Sequence, residues 1–439
     1  MPSDPLASFS VRLLNPIRRR VAEHWMTVTI SILGLAAVVS MGRGFDNALQ
    51  DHRSDDFQWE PARMLLRGDN PYQAFLANPD RLRVTDAAGN NALPNYPVTG
   101  YVFLAPFGSL DWSAAKIAWA LTNIISFVAL IAGIAHLAGP AGESAHRWAW
   151  GIGLLMLCSA PARDQVAAGQ HTVVSATAFL WAWILGKEKQ WRWWSPVLIA
   201  VSWLKFSVTV PLTLAFLIRR RWHEPLGALA IHVVLLGAVC LWTRTGPVSM
   251  AMDYLESTRE TFRVSGIQSD VWDTLSIGRL SGMGSGLGLL LSLAVLGAVG
   301  IVAERRKAEM DDLGLLSLFV VPACVVGFHL RYDFIIWAIP MAWAATRTTD
   351  RGIQGAVVMV AVMNWFGARI LQNRYFEPID AVDGIWAPAG ILGMGAIAVA
   401  TWLLFAWVVF RMRSLPLPAS SELHHLPAWR KRKKAVPAR

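Results

Sequence analysis

Apolar runs of about 20 residues recur from one end of the chain to the other, divided by short polar segments rich in Arg, Lys and Asp. A helix of that length crosses a hydrocarbon core about 30 Å thick. The pattern predicts helices at 25–44, 112–138, 147–161, 170–186, 192–204, 207–218, 225–244, 284–302, 313–328, 332–346, 352–371 and 387–410. That is an all-α polytopic architecture with about twelve crossings. The loops "GKEKQWR" (186–192), "RRRWHE" (219–224), "ERRKAE" (304–309) and "TRTTDR" (346–351) are basic, as is "NPIRRR" before the first run. Basic loops stay cytoplasmic, so both termini are expected inside. This threading makes 192–218 a hairpin of two short helices, because both of its ends are basic. One long tilted helix is the alternative, and it would invert everything that follows. It also requires "YPVTGYVFLAPFGSL" (96–110), short and carrying Pro97 and Pro106, to dip into the outer leaflet without crossing.

Composition sharpens this picture. The chain is 54% hydrophobic and only 16% charged, with a mean hydropathy of +0.39, against about a quarter charged residues in a soluble domain. A net charge of +10 would point to nucleic acid in a soluble protein. Here the excess sits at the two ends: Arg12, Arg18, Arg19 and Arg20 before the first helix, and Arg411, Arg413, Arg430, Lys431, Arg432, Lys433, Lys434 and Arg439 after the last. Such clusters set membrane orientation and touch anionic lipid, so no nucleic-acid partner is expected. Three parts follow: a basic cytoplasmic N-terminus 1–24, one polytopic domain 25–410 whose first outer loop is 45–111, and a basic cytoplasmic tail 411–439. Cys158, Cys240 and Cys324 lie within apolar runs, which suggests neither disulfides nor a thiolate metal site. The first run lacks a small-x-small cleavage site and reads as an uncleaved anchor.

Candidate chemistry comes from polar residues that lipid does not explain. On this threading Asp55, Asp56, Asp69, Arg163, Asp164, Gln170, Lys205, His329, Arg331, Tyr332 and Asp333 all fall at the outer ends of helices, and ionisable groups beside membrane helices mark functional sites. In the turn "FHLRYDF" (328–334), Tyr332 and Asp333 suit sugar hydroxyls. Pro61 opens and Gly68 closes a short helix after the paired aspartates. Met64, Leu65 and Leu66 give it an apolar side, and it is expected to lie along the membrane surface. The aspartate pair suits a general base, a cation site, or a solvated loop with a helix cap. The outer loop 245–283 adds Asp253, Tyr254, Trp272 and Asp273, equally fit for sugar stacking or for interface anchoring.

The segments "DFQWEPARMLLRGDNPY" (56–72) and "NYPVTGYVFLAPFGSL" (95–110), followed by a long apolar helix, resemble glycosyltransferase family 87, polytopic enzymes of GT-C-like fold. Asp56, Gly68, Pro71, Tyr72, Tyr96, Pro97, Pro106 and Phe107 match that family's pattern, with Val98 in place of a second proline. "AAGQHTVVSATAFLWAWIL" (167–185) is similar to a Gly-Gln-x-Asn helix start, with His171 and Thr172 departing from the usual residues. "AVSWLKFSVTVPLTLAFLIRRRW" (200–222) is similar to a Lys-Pro hairpin, with Phe206 where proline is common. The likeness is strongest over 45–225.

The resemblance implies transfer of mannose or arabinose from a polyprenyl-phosphate sugar to a hydroxyl of an extracytoplasmic glycolipid or glycan, at the plasma membrane. It implies Asp56 as the base, since the attacking hydroxyl must lose a proton. Positive charge is needed where the phosphate departs, and Lys205, Arg163 and Arg331 are the candidate phosphate contacts; a lysine snorkelling to the interface and a salt bridge of Arg163 with neighbouring Asp164 are the alternatives for the first two. Asp55, Tyr72, Tyr96, Gln170, His329 and Tyr332 are candidate substrate contacts. No cofactor and no metal are expected, because two adjacent carboxylates make an incomplete ion site. A transporter or lipid flippase is the alternative. It would carry inverted repeats and broken helices at mid-membrane, whereas no repeat is visible and the polar residues gather at one face.

Overall fold

The computed structural model describes residues 5–50, 53–54, 56–77, 94–265, 284–324, 331–348 and 350–367, with backbone alone at 5–23, 261–265, 284–286, 321, 331–332 and 367. Among these residues every regular element is helical. The elements are α1 (Pro5–Leu49), α2 (Trp59–Leu66), α3 (Pro71–Ala77), α4 (Val98–Gly108), α5 (Trp112–Ala138), α6 (Glu143–Leu157), α7 (Ala160–Ala167), α8 (Thr172–Leu185), α9 (Trp194–Ser202), α10 (Phe206–Ile218), α11 (His223–Trp242), α12 (Pro247–Ser265), α13 (Gly284–Arg306), α14 (Asp312–Ala323), α15 (Ala338–Thr346) and α16 (Arg351–Val362). A 3-10 segment, Arg331–Trp337, leads into α15.

Five described stretches are long and apolar enough to cross a membrane: His24–Leu49, Trp112–Ala141, Trp194–Ile218, His223–Trp242 and Leu287–Arg306. The other predicted helices that fall within the described residues, α6, α8, α14, α15 and α16, follow the predicted order but are shorter there than a crossing requires. The predicted helix 147–161 instead ends at Leu157, because Ser159 caps a new helix (its Oγ accepts from Ala162 N–H at 3.2 Å) and Pro161 sits in that helix's first turn. The predicted helix 387–410 and the basic tail lie outside the described residues.

Trp194–Ile218 has the length of one crossing rod, yet it folds back. Trp203 Nε1 donates to Thr213 Oγ1 at 3.2 Å, and Thr209 Oγ1 to the Ser202 carbonyl at 2.7 Å. In a straight helix residues ten apart are separated by about 15 Å along the axis. The start of α9 and the turn that follows α10 also share a neighbour: a Cβ on Gly186 would lie 2.9 Å from Ser195 Oγ and against Arg221 Nη2. The hairpin therefore turns at Trp203–Lys205, with both arms returning to the same end.

That end is where the basic loops meet. Lys187 and Arg219 (3.8 Å) both pair with Asp312, Arg347 pairs with Asp311, and Arg220 pairs with Glu304 at 3.2 Å. Arg219 also donates to the carbonyls of Lys307 and Met310. One large apolar core runs through α1, α5–α10, α14 and α15. A second, smaller core at the opposite end gathers Phe57, Trp59, Tyr72, Tyr96, Tyr101, Trp112 and Trp119 beneath α2, α4 and α12.

Two expectations about the cap are revised. The helix after the aspartates begins at Trp59, two residues before Pro61, and buries Trp59, Pro61, Ala62 and Leu65, while Leu66 is exposed. Its apolar face turns inward onto α4, where Gly108 admits it: a Cβ there would sit 2.9 Å from Arg63 N. Protein packing, in place of lipid, takes up that face. The segment 245–283 is also not a plain loop, because its first half is α12, which packs on α3; Asn70 Nδ2 and Gln73 Nε2 both donate to Asp253 Oδ2.

Candidate active site

The site lies between the two cores, and local geometry explains why Asp56 is there. α1 ends at Leu49, and its carbonyl dipole is met by Lys116, whose Nζ donates to the carbonyls of Leu49 (2.8 Å) and Gln50 (3.2 Å). Ser54 then takes a left-handed φ of 63°, uncommon for a side-chain-bearing residue. It is held by its Oγ to the Ala48 carbonyl (3.0 Å) and its N–H to Ala167 (3.1 Å). Asp56 N–H donates to the Ala168 carbonyl at 2.9 Å, pinning the aspartate's backbone to the α7–α8 connection.

Gly169 makes that approach possible. Its φ is +71°, and a Cβ would lie 2.7 Å from Phe57 Cβ. Trp119 locks the junction from α5: Nε1 donates to the Gly169 carbonyl at 2.7 Å, and its ring stacks on Phe57 at 5.1 Å. We expect Lys116→Met to cost about 2 kcal/mol of stability, since it removes a buried charged donor from two carbonyls. Chemical unfolding of the purified protein would read this, and a change below about 0.5 kcal/mol would show that the clamp is idle.

Around this junction four sequence-predicted residues come together. Lys205 arrives at the hairpin tip, its N–H donating to Ser175 Oγ at 3.1 Å. Its ammonium, 14% exposed, donates to Gln170 Oε1 at 3.5 Å, lies 5.8 Å from the centre of the Tyr96 ring, and pairs at 3.7 Å with Asp333 Oδ1. Lys205, Asp56 and Asp333 all act electrostatically on the Tyr96 phenol. Burial pushes that phenol up to about 12 against the opposing pull of Lys205, so it is a neutral hydroxyl at physiological pH. Asp333, only 1% exposed, also accepts from the Thr172 hydroxyl.

The other predicted residues fall elsewhere. Tyr72 is fully buried, and its hydroxyl donates to the Tyr96 carbonyl at 2.6 Å. Tyr96 N–H in turn donates to Tyr101 Oη, which donates to Gln58 Oε1. Tyr72 thus holds the backbone of Tyr96. Arg163 sits beside Asp164 (3.4 Å), with its carbonyl and side chain against Gly44 of α1. No described contact joins it to Lys205. Asp55 and His329 lie outside the described residues, and Arg331 and Tyr332 are described by backbone only.

The structure adds residues that sequence patterns do not single out. Thr172 and His171 stand in the sequence only as departures from a motif, Trp119 is one of 22 tryptophans, and Lys116 looks like an interfacial lysine. His171 is 0% exposed, clasped between the rings of Tyr96 (4.7 Å) and Trp119 (4.9 Å). Among the described residues neither of its ring nitrogens has a hydrogen-bond partner. A buried unpaired polar group costs about 1–3 kcal/mol. His171→Phe keeps the ring contacts and removes that cost, so we expect it to stabilise the free protein by about 1 kcal/mol. An unchanged or lowered melting temperature would mean that the nitrogens are paired in solution.

The comparisons with known proteins bear on this geometry. The family model of glycosyltransferase family 87 matches residues 95–326, more than half of the chain. The matched span holds Tyr96, Gln170 and Lys205, starts later than the motif likeness at 45, and extends a hundred residues beyond 225. Asp56 and Asp333 lie on either side of it. No curated protein and no solved structure matches the chain. With its apolar crossing helices and a family match over most of the described site, the chain belongs to glycosyltransferase family 87 and is a membrane glycosyltransferase.

Proposed function

We propose that the enzyme transfers a sugar, mannose or arabinose, from a polyprenyl-phosphate donor to a hydroxyl of a glycolipid or glycan on the extracytoplasmic side of the plasma membrane. What supports this reading is one cluster: the Lys205 ammonium bracketed by Gln170, Tyr96 and Asp333, with Asp56 close enough to act on the same phenol.

In this mechanism the Asp56 carboxylate takes the proton of the acceptor hydroxyl as its oxygen attacks the anomeric carbon. The bond from that carbon to the phosphate oxygen breaks, and its electron pair leaves with the lipid phosphate. Lys205 faces the charge that develops there. Tyr96 and Gln170 offer a hydroxyl, an aromatic face and an amide to the sugar. Tyr72 acts through Tyr96, and Arg163 ties α7 to α1. Arg331, His329, Tyr332 and Asp55 remain assigned as further contacts to phosphate and substrate.

Depth also favours a lipid-linked donor. α8 and α10 each rise about 20 Å from the ion-paired basic end to the site. With that end at the cytoplasmic interface, the site stands at the level of the opposite leaflet in a core about 30 Å thick. A phosphate on an embedded polyprenyl chain reaches that level without leaving the bilayer.

The test is a panel of labelled polyprenyl-phosphate sugars offered to membranes containing the enzyme, with nucleotide sugars in parallel. We expect transfer from one lipid-linked donor. Transfer from nucleotide sugars alone, in membranes depleted of polyprenyl phosphate, would refute the donor assignment.

A further inference from the structure

By residue type Asp333 suits sugar hydroxyls, but its surroundings give it another role. We propose that Asp333 is a positioning residue for Lys205: it holds the ammonium at the place where the donor phosphate docks and leaves substrate contact to others. The inference rests on the donor reading above.

Three observations carry it. Asp333 is 1% exposed, in a 3-10 segment packed against α7 and α8, so its carboxylate is built into the fold. One oxygen, Oδ1, accepts from the Thr172 hydroxyl and forms the ion pair with the Lys205 ammonium at 3.7 Å. Thr172 is itself 0% exposed in the first turn of α8, which fixes where that oxygen lies. Lys205 sits on a turn between two short helices, at the end of a four-carbon stem whose ammonium must be held in place by its partners. Its backbone is tied to Ser175 and its tip to the neutral amide oxygen of Gln170 at 3.5 Å, so the charge-bearing partner that faces it in that pair is Asp333.

An ammonium at the end of a long stem needs fixed partners if it is to be in place before the phosphate arrives. The Thr172–Asp333 pair supplies one at a charge-assisted contact. The anchor also sets the charge balance. Asp333 offsets Lys205 in the free enzyme, so the cation can sit at low exposure without the cost of an isolated buried charge. Charge developing on the departing phosphate then meets an ammonium already in position, as preorganised electrostatic stabilisation requires.

A double-mutant cycle tests this, with kcat and KM measured separately for donor and acceptor. We expect Lys205→Met and Asp333→Asn each to lower donor kcat/KM by about a hundredfold or more. The double variant should be no worse than Lys205→Met alone, because Asp333 acts through Lys205. Acceptor KM should stay within about twofold of wild type in all three. Thr172→Val leaves the ion pair but loosens its anchor, and should cost about fivefold to tenfold on the donor side alone. It keeps the test available should Asp333→Asn fold poorly.

Melting temperatures should be lowered in both single variants and recover in the double, where neither charge is stranded. Losses that multiply in the double variant, or a raised acceptor KM in Asp333→Asn, would overturn the proposal while leaving the donor reading intact. A wild-type enzyme that transfers from no polyprenyl-phosphate donor would overturn both.

Discussion

Asp56→Asn is expected to reach the membrane in wild-type amounts and to transfer sugar about a thousandfold more slowly than wild type, within the range of about 10²–10⁴ that general base catalysis contributes. The substitution is nearly isosteric and removes the charge and the proton-accepting oxygen. The backbone N–H bond from Asp56 to the Ala168 carbonyl survives it, as do the Ser54 and Phe57 contacts that shape the turn. A folding defect is therefore not expected, and the loss should fall on kcat while donor KM changes little. Initial rates with matched membrane amounts of the two proteins check this. Rates within threefold of each other would keep the glycosyltransferase and remove Asp56 as its base, turning attention to Asp55 and to the turn at 329–333.

Lys205→Met should produce the second large effect, a loss of about 10²–10³ in donor kcat/KM, the range for removing one preorganised group that faces developing charge. Methionine matches the length and flexibility of the lysine stem, so packing at the hairpin tip is largely kept. Stability should fall as well. Asp333, at 1% exposure, loses a cationic partner, and breaking one side of a buried ion pair costs about 3–5 kcal/mol. Lys205→Arg keeps the charge but replaces a point charge by a planar fork, and it should recover part of the activity. Parallel kinetics and melting curves on the three proteins separate the two effects. An Arg variant as inactive as the Met variant, yet as stable as wild type, would show that position matters more than charge. A fully active Met variant would exclude Lys205 from the donor site.

Much of this site is legible in the amino-acid sequence. Asp56, Gln170 and Lys205 stand out as polar residues placed at the ends of apolar runs, where a polar side chain needs a reason, and Tyr96 stands out through the family motif alone. Their order along the chain carries the family likeness. The hairpin at 192–218 is legible from charge alone, since both of its ends are basic and the turn falls between them at Trp203–Lys205. Chain order and polarity suffice for those inferences.

Other features depend on which faces meet. α2 looks like a surface helix because its apolar residues form a side, and only Gly108 of α4 shows that the side is occupied by protein. Tyr72 and Tyr96 read alike as substrate contacts, yet one hydroxyl is spent on holding the other's backbone. Arg163 reads as a phosphate cation or as the partner of Asp164, and the structure pairs it with Asp164 and sets it against α1, while Lys205 meets Gln170 and Asp333.

By itself the sequence determined that the chain is helical and membrane-bound, in what order its apolar helices follow one another, which loops share an end, and which polar residues lipid cannot account for. These follow from local quantities: run length, charge, and the turn chemistry of Pro and Gly. The tertiary structure decided that Asp333 reaches both Thr172 and Lys205 from more than a hundred residues along the chain, that His171 is shut between two rings with no hydrogen-bond partner for its nitrogens among the described residues, and that Lys116 closes the end of α1. The physical reason lies in the membrane pattern. Helices such as α8 and α10 are apolar on nearly every face, so no stripe marks the side that packs inward. Which polar groups meet is then set by the packing of the whole bundle.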